Sequence, residues 1–239
     1  MKYFLILSAA RTRSSYLEQL LNSHPNVVCH GELFHQDKVM ARLPIVKDDL
    51  NYLNFRNTEP HKFLDDIDEK TKKTHPNADM LGWKLLTYDY QIKHGLTAIL
   101  ARKPKIIFLT RENSLAWYSS LQLAIKTNVW FTHQPITHQS QVTFCRKHYE
   151  ETIERQFRED LRVKRTVMAH DLEFFPFDSE EIGKPKAMTK LLKFLGLKSA
   201  ALSSPIVQQN SSDILSRFTN PNDVLTYLQD IRRLEWVSE

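Results

Sequence analysis

Four stretches of this chain are apolar with little alternation: YFLILS at 3–8, NVVC at 26–29, MLGWKLL at 80–86 and KIIFLT at 105–110. A strand with one wet face alternates apolar and polar residues. A strand apolar throughout is buried on both faces, as in a parallel sheet covered by helices on each side. RTVMAH at 165–170 is read as a further strand of the same series. Helical patterns separate these runs, and strand–helix alternation makes the class α/β, with a central parallel sheet flanked by helices.

The first helix carries its own start signal. Ser15 with Glu18 forms a capping-box pair, and Leu17, Leu20 and Leu21 follow as an apolar face that HPN at 24–26 ends. A second helix is expected from Asn113, a good N-cap, with Leu115, Tyr118, Leu121 and Ile125 along one side. Residues 35–78 are polar and helix-prone, 126–140 read as loop, and a long charged helix is expected over 141–161. FFPFDSEEIGKPK then interrupts before a helix at about 186–195 that Gly196 ends. There is no internal repeat, and we read one domain over 1–239.

Composition excludes more than it selects. Hydrophobic residues at 41% and charged residues at 26% are ordinary globular values. No apolar run approaches the ~20 residues of a membrane span, and no small-residue cleavage site follows the first strand. Two cysteines, Cys29 and Cys145, make no disulfide framework, so a cytoplasmic, reducing setting is expected. The net charge of +5 is spread over scattered basic residues without a recognition-helix or RNA-binding signature, which argues against a nucleic-acid partner. His30 and Glu32 match the H-x-E half of a zinc deaminase, but no P-C-x-x-C follows. His133 and His138 lack metal-ligand spacing, and no G-x-S-x-G elbow exists. No metal is expected.

The segment AARTRSSYLEQLL, just past the first strand, carries the clearest chemistry. Free N–H groups and the macrodipole at a helix start favour a phosphate or sulfate. Arg11 and Arg13 add positive charge there, and Thr12, Ser14 and Ser15 add hydroxyl donors. A Walker loop needs glycines and a lysine, and residues 8–15 have neither, which disfavours a P-loop kinase-like phosphotransferase.

These residues resemble a family. The order apolar strand, R-T-x-S-S-Y-L, L-L-N-x-H-P-N-V, then G-E-L-F is similar to the sulfotransferases that use 3′-phosphoadenosine-5′-phosphosulfate (PAPS). The nearest likeness is to bacterial carbohydrate sulfotransferases of the nodulation-factor type. KIIFLTRENSLAWYSSLQLA matches their second signature, with Arg111 past a strand and Ser119 eight residues later. A weaker echo lies in VMAHDLEFFPFD and LLKFLGL at 167–197. One departure is Arg13, where the family has glycine or another small residue.

The resemblance implies a P-loop-like three-layer fold and PAPS as sulfonate donor. It also implies a small-molecule or oligosaccharide hydroxyl acceptor, with 35–78 and 126–161 as insertions on the acceptor side. Arg11, Thr12, Arg13, Ser14 and Ser15 would hold the 5′-phosphosulfate. Arg111 and Ser119 would grip the 3′-phosphate, as an Arg fork suits. Glu32 would be the general base, with His30 as runner-up, while Arg11 and Lys84 would face the transferring group. The competing class is a nucleotide-binding protein of the same fold without catalysis.

Overall fold

The structure is a computed structural model that describes residues 1–132, 134 and 140–239. The chain divides into two compact units, Met1–Thr110 with Glu159–Ser204, and Arg111–Arg158 with Pro205–Glu239.

The first unit holds the sheet. Its strands are β1 (Lys2–Ser8), β2 (Val27–Glu32), β3 (Met80–Leu86), β4 (Lys105–Thr110) and β5 (Phe174–Asp178), in the order β2-β3-β1-β4-β5 and all parallel. The sequence reading of an apolar parallel sheet between helices is therefore correct. Phe4, Leu5, Ile6 and Leu7 of β1 are wholly buried, each contributing about 1.5–3 kcal/mol of transfer free energy. Alternate residues enter different cores because successive side chains point to opposite faces. Leu5, Leu7, Trp83 and Ile106 pack with α3 (Pro60–Thr74), α2 (Leu50–Thr58) and α5 (Thr97–Leu100). Phe4, Ile6, Ile107 and Leu109 pack with α1 (Ser14–Asn22) and α8 (Pro185–Leu195). Between β3 and α5 the chain makes α4 (Asp89–Gln91) and a π-helical turn, Ile92–Leu96.

The fifth strand is not where the sequence suggested. RTVMAH falls mostly in α7 (Arg146–Met168), a helix that continues past the expected end at 161. Val163 and Val167, four residues apart, are buried on one face of that helix, so their β-branching signals packing rather than a strand. β5 is FFPFD instead, read from sequence as an interruption. It is an edge strand, where Pro176 is exposed and its missing N–H leaves no ladder bond unmade.

The second unit is built from α6 (Ser114–Thr127), the start of α7, and α9 (Pro221–Asp230). Asn113 caps α6 as expected, its side chain accepting from the Ala116 N–H at 3.0 Å. The expected face of α6 holds only for its first half. Residues 115–120 are buried all round, whereas Ile125 is 58% exposed. Phe144, Tyr149 and Tyr227 form an aromatic cluster, with ring centroids 5.3–5.6 Å apart. Residues 133 and 135–139, which include His133 and His138, lie outside the described residues.

Gly82 pairs with Phe4 in the sheet, and a Cβ at Gly82 would meet the Phe4 ring at 2.0 Å. Gly82→Ala is expected to destabilise the protein by about 1–3 kcal/mol through overpacking, measured by urea unfolding. An unchanged midpoint would contradict this packing.

Candidate functional site

Three strand ends and one helix start build the site of the first unit. β1 gives way at Ser8 to the loop Ala9–Arg13, and α1 begins at Ser14. Arg11 and Arg13 both have left-handed backbones, with φ of 62° and 59°. A side chain in that conformation costs about 1–2 kcal/mol, so the loop is held against strain. Arg13 thus holds the left-handed position immediately before α1. Thr12 Oγ1 closes the turn by donating to the Ala9 carbonyl at 2.9 Å, and Arg13 Nη1 reaches the Ser179 carbonyl at 3.5 Å. Burial pulls the Arg11 guanidinium down to about 10, against the opposing effect of Tyr88, so it is charged at neutral pH.

Lys84 lies in β3 with its side chain only 3% exposed. Its Nζ donates to Ser15 Oγ at 2.9 Å and lies 3.3 Å from both Glu18 Oε2 and Glu32 Oε1. Burial works against the ammonium, but the two carboxylates outweigh it and hold Lys84 above the ordinary lysine range. Strand register creates the pairing: β2 shifts between Cys29 and Glu32, which sets Glu32 opposite Lys84. Ser15 and Glu18, three residues apart, present the same face of α1. The expected capping box is therefore wrong. Arg13 is the N-cap residue and its side chain does not cap the helix, while Lys84 takes both Ser15 and Glu18.

Glu32 has a second partner that the sequence did not show. Gln91 Nε2 donates to Glu32 Oε2 at 2.7 Å, while Gln91 Oε1 accepts from the Leu86 N–H at 3.0 Å. Tyr88 stands nearby, its phenol pushed up by burial and by the charge of Glu32 against the pull of Arg11. His30, the runner-up base, is engaged at both ring nitrogens. It is fully buried; its Nδ1 accepts from the Arg42 N–H at 3.0 Å, and its Nε2 meets Thr71 Oγ1 at 2.9 Å.

The second unit holds the other signature. Arg111 is ion-paired with Glu239, and both side chains are buried. Ser119 is wholly buried; its Oγ donates to the Ala116 carbonyl at 3.2 Å and accepts from Arg217 Nη1 at 3.1 Å. Arg217 Nη2 lies 3.4 Å from Glu239 Oε2. Two guanidinium groups thus converge on one carboxylate, beside the serine that the sequence paired with Arg111. Arg217 and Glu239 carry no motif, and only the fold identifies them. Among the described residues, no group of three His, Cys, Asp or Glu side chains is placed to hold a metal. None of the described helices is long and apolar enough to cross a membrane.

The chain shares its fold with a solved sulfotransferase. The solved sulfotransferase from Alicyclobacillus acidocaldarius matches it with a TM-score of 0.50 over 98% of this chain and 95% of that one, at 13% identity. In sequence, the chain is similar to nodulation protein H of Rhizobium meliloti (strain 1021), 33% identical over 135 residues, 53% of this chain and 49% of that protein. Nodulation protein H of Rhizobium tropici is 34% identical over 140 residues, 55% of this chain and 50% of that protein. The chain spans about half the length of the curated relatives it matches. No protein-family model matches it. These likenesses bear out the resemblance to the sulfotransferase family that the sequence motifs carry.

Burial, with help from His75 and Arg42, lowers His30 to about 3. Between about pH 6.5 and 3 the unfolded chain binds a proton there that the native chain does not, so stability is lost as pH falls through that window. The loss has an upper slope of about 1.4 kcal/mol per pH unit. His30→Gln is expected to flatten the dependence of unfolding free energy on pH between 6 and 4. The same slope in variant and wild type would contradict the assignment.

Proposed function

We propose that this protein transfers the sulfonate of PAPS to a hydroxyl of an acceptor, a carbohydrate or glycoconjugate, by in-line displacement with a carboxylate base. The observation that carries the reading is the buried Lys84, which ties Ser15, in the first turn of α1, to Glu32. A hydroxyl that takes the 5′-phosphosulfate, a cation and a carboxylate base are thereby held within one hydrogen-bonded group. Arg11, Thr12, Arg13, Ser14 and Ser15, at the N-terminus of α1, are of the kind that hold a phosphosulfate. Arg111 and Ser119, with Arg217, would take the 3′-phosphate; Arg111 and Arg217 already hold an anion in the Glu239 carboxylate.

In the reaction Glu32 takes the proton of the acceptor hydroxyl as its oxygen bonds to sulfur. The bond from sulfur to the bridging phosphate oxygen breaks, and adenosine 3′,5′-bisphosphate leaves with the added negative charge. Arg11 and Lys84 stabilise that charge by preorganisation. The two unpaired cysteines, Cys29 and Cys145, suit a cytoplasmic location.

A second reading, nucleotide binding without transfer, draws on the left-handed Arg13 of the altered loop. Labelled sulfonate transfer from PAPS into a panel of oligosaccharides and small alcohols separates the two. Wild type is expected to transfer, with turnover lowered by about a hundredfold or more in Arg11→Ala and by on the order of a hundredfold in Glu32→Gln. Binding of adenosine 3′,5′-bisphosphate without transfer to any acceptor would favour the second reading.

A further inference from the structure

Lys84 is shared. Its Nζ stands at the same distance, 3.3 Å, from Glu18 and from Glu32, so one ammonium faces two carboxylates, the first buried and the second partly exposed. With Glu18 ionised the group keeps one surplus negative charge. Without it, Lys84 and Glu32 form a closed one-to-one pair, and a carboxylate paired in that way gives up its affinity for a proton. Glu18 therefore determines how much of the Lys84 charge falls on Glu32.

Gln91 acts on the other oxygen. Its amide orientation is fixed by chemistry, because the Leu86 N–H can only donate, so Gln91 Oε1 must face it and Nε2 must face Glu32. The amide thus ties Glu32 Oε2 to the end of β3. Gln91 is itself buried, at the junction of α4 and the π turn. Gly95 of that turn lies against Phe34, where a Cβ would meet the ring at 2.6 Å. The turn is therefore packed against the segment that carries Glu32. Among the described residues, His35, which follows β2, and Tyr88, which also feels Arg11, are further titratable groups that feel Glu32.

We infer that Glu18 and Gln91 are positioning residues for Glu32: Glu18 shares the charge of Lys84, and Gln91 fixes the Glu32 carboxylate to the backbone of β3. Neither residue touches donor or acceptor; both act through Lys84 or Glu32. The inference deepens the sulfonate-transfer reading and rests on Glu32 being its base.

The two residues must act in opposite directions, which a merely structural role would not produce. Glu18→Gln leaves Lys84 to Glu32 alone and is expected to move the acid limb of the turnover profile to lower pH. Its plateau should also fall, since a weaker base removes less of the hydroxyl proton in the transition state. Gln91→Leu removes a hydrogen bond to the ionised carboxylate and is expected to move the limb to higher pH, as is Gln91→Glu, which adds a like charge. Titration of Glu32 by carbon NMR, with carboxyl-labelled glutamate in the full chain, reads the same shifts without donor or acceptor. If wild type transfers no sulfonate, the functional reading fails, and the NMR titration still decides this inference. Shifts of the same sign in Glu18→Gln and Gln91→Leu, or none in either, would overturn it. Should Glu18→Gln not fold, the two Gln91 variants decide, and an unmoved Glu32 titration in both would overturn it.

Discussion

A lysine ammonium inside a parallel sheet is the constraint from which the rest of the site follows. Lys84 sits in a strand whose neighbours are Trp83, Leu85 and Leu81, all wholly buried. Removing its charge from water costs several kcal/mol unless partners converge on it with good geometry. Three do, from two different elements: Ser15 and Glu18 from α1, and Glu32 from β2. For α1 to present two side chains there, it must begin immediately after β1, and the turn into it passes through two left-handed arginines. For Glu32 to arrive, β2 must slip its register before its last residue. Two irregularities of this unit, the strained loop and the shifted strand, adjoin the residues that compensate the one buried charge.

The second unit shows the same physics with the signs exchanged. There the buried anion is Glu239, and the partners that compensate it are Arg111 and Arg217. Arg217 also donates to Ser119 and to the Ser211 carbonyl, so its fork is committed in several directions at once. A planar guanidinium holds such a set of acceptors with little loss of side-chain entropy, which a lysine could not match.

Much of this was legible in the sequence, and the misses have physical causes. β1, β3 and β4 were read correctly because a strand buried on both faces leaves a continuous apolar run that loops do not imitate. β5 was missed because an edge strand is half wet and admits a proline, so FFPFD looks like a break. The helix end at Val163–Met168 was taken for a strand because β-branched residues carry the same local signal in either setting. The loop after β1, Lys84 and Glu32 were singled out from the sequence and the family likeness, and the fold brings Ser15, Lys84 and Glu32 together. The Ser15–Glu18 pairing was noticed but given the wrong partner, since local spacing describes a capping box and only the tertiary fold supplies Lys84. Gln91, Arg217 and Glu239 left no trace, because each is defined by what it meets across 59, 98 or 128 residues of sequence.

Calorimetric titration of the full chain with adenosine 3′,5′-bisphosphate and with adenosine 5′-monophosphate tests the central claim most directly, that the chain is built to take a PAPS-type nucleotide. A charge-assisted phosphate contact contributes about 1.5–3 kcal/mol, and each 1.4 kcal/mol is about tenfold in affinity. The bisphosphate is therefore expected to bind at least about tenfold tighter than the monophosphate. Equal affinity for the two nucleotides, or no binding of either, would contradict the account.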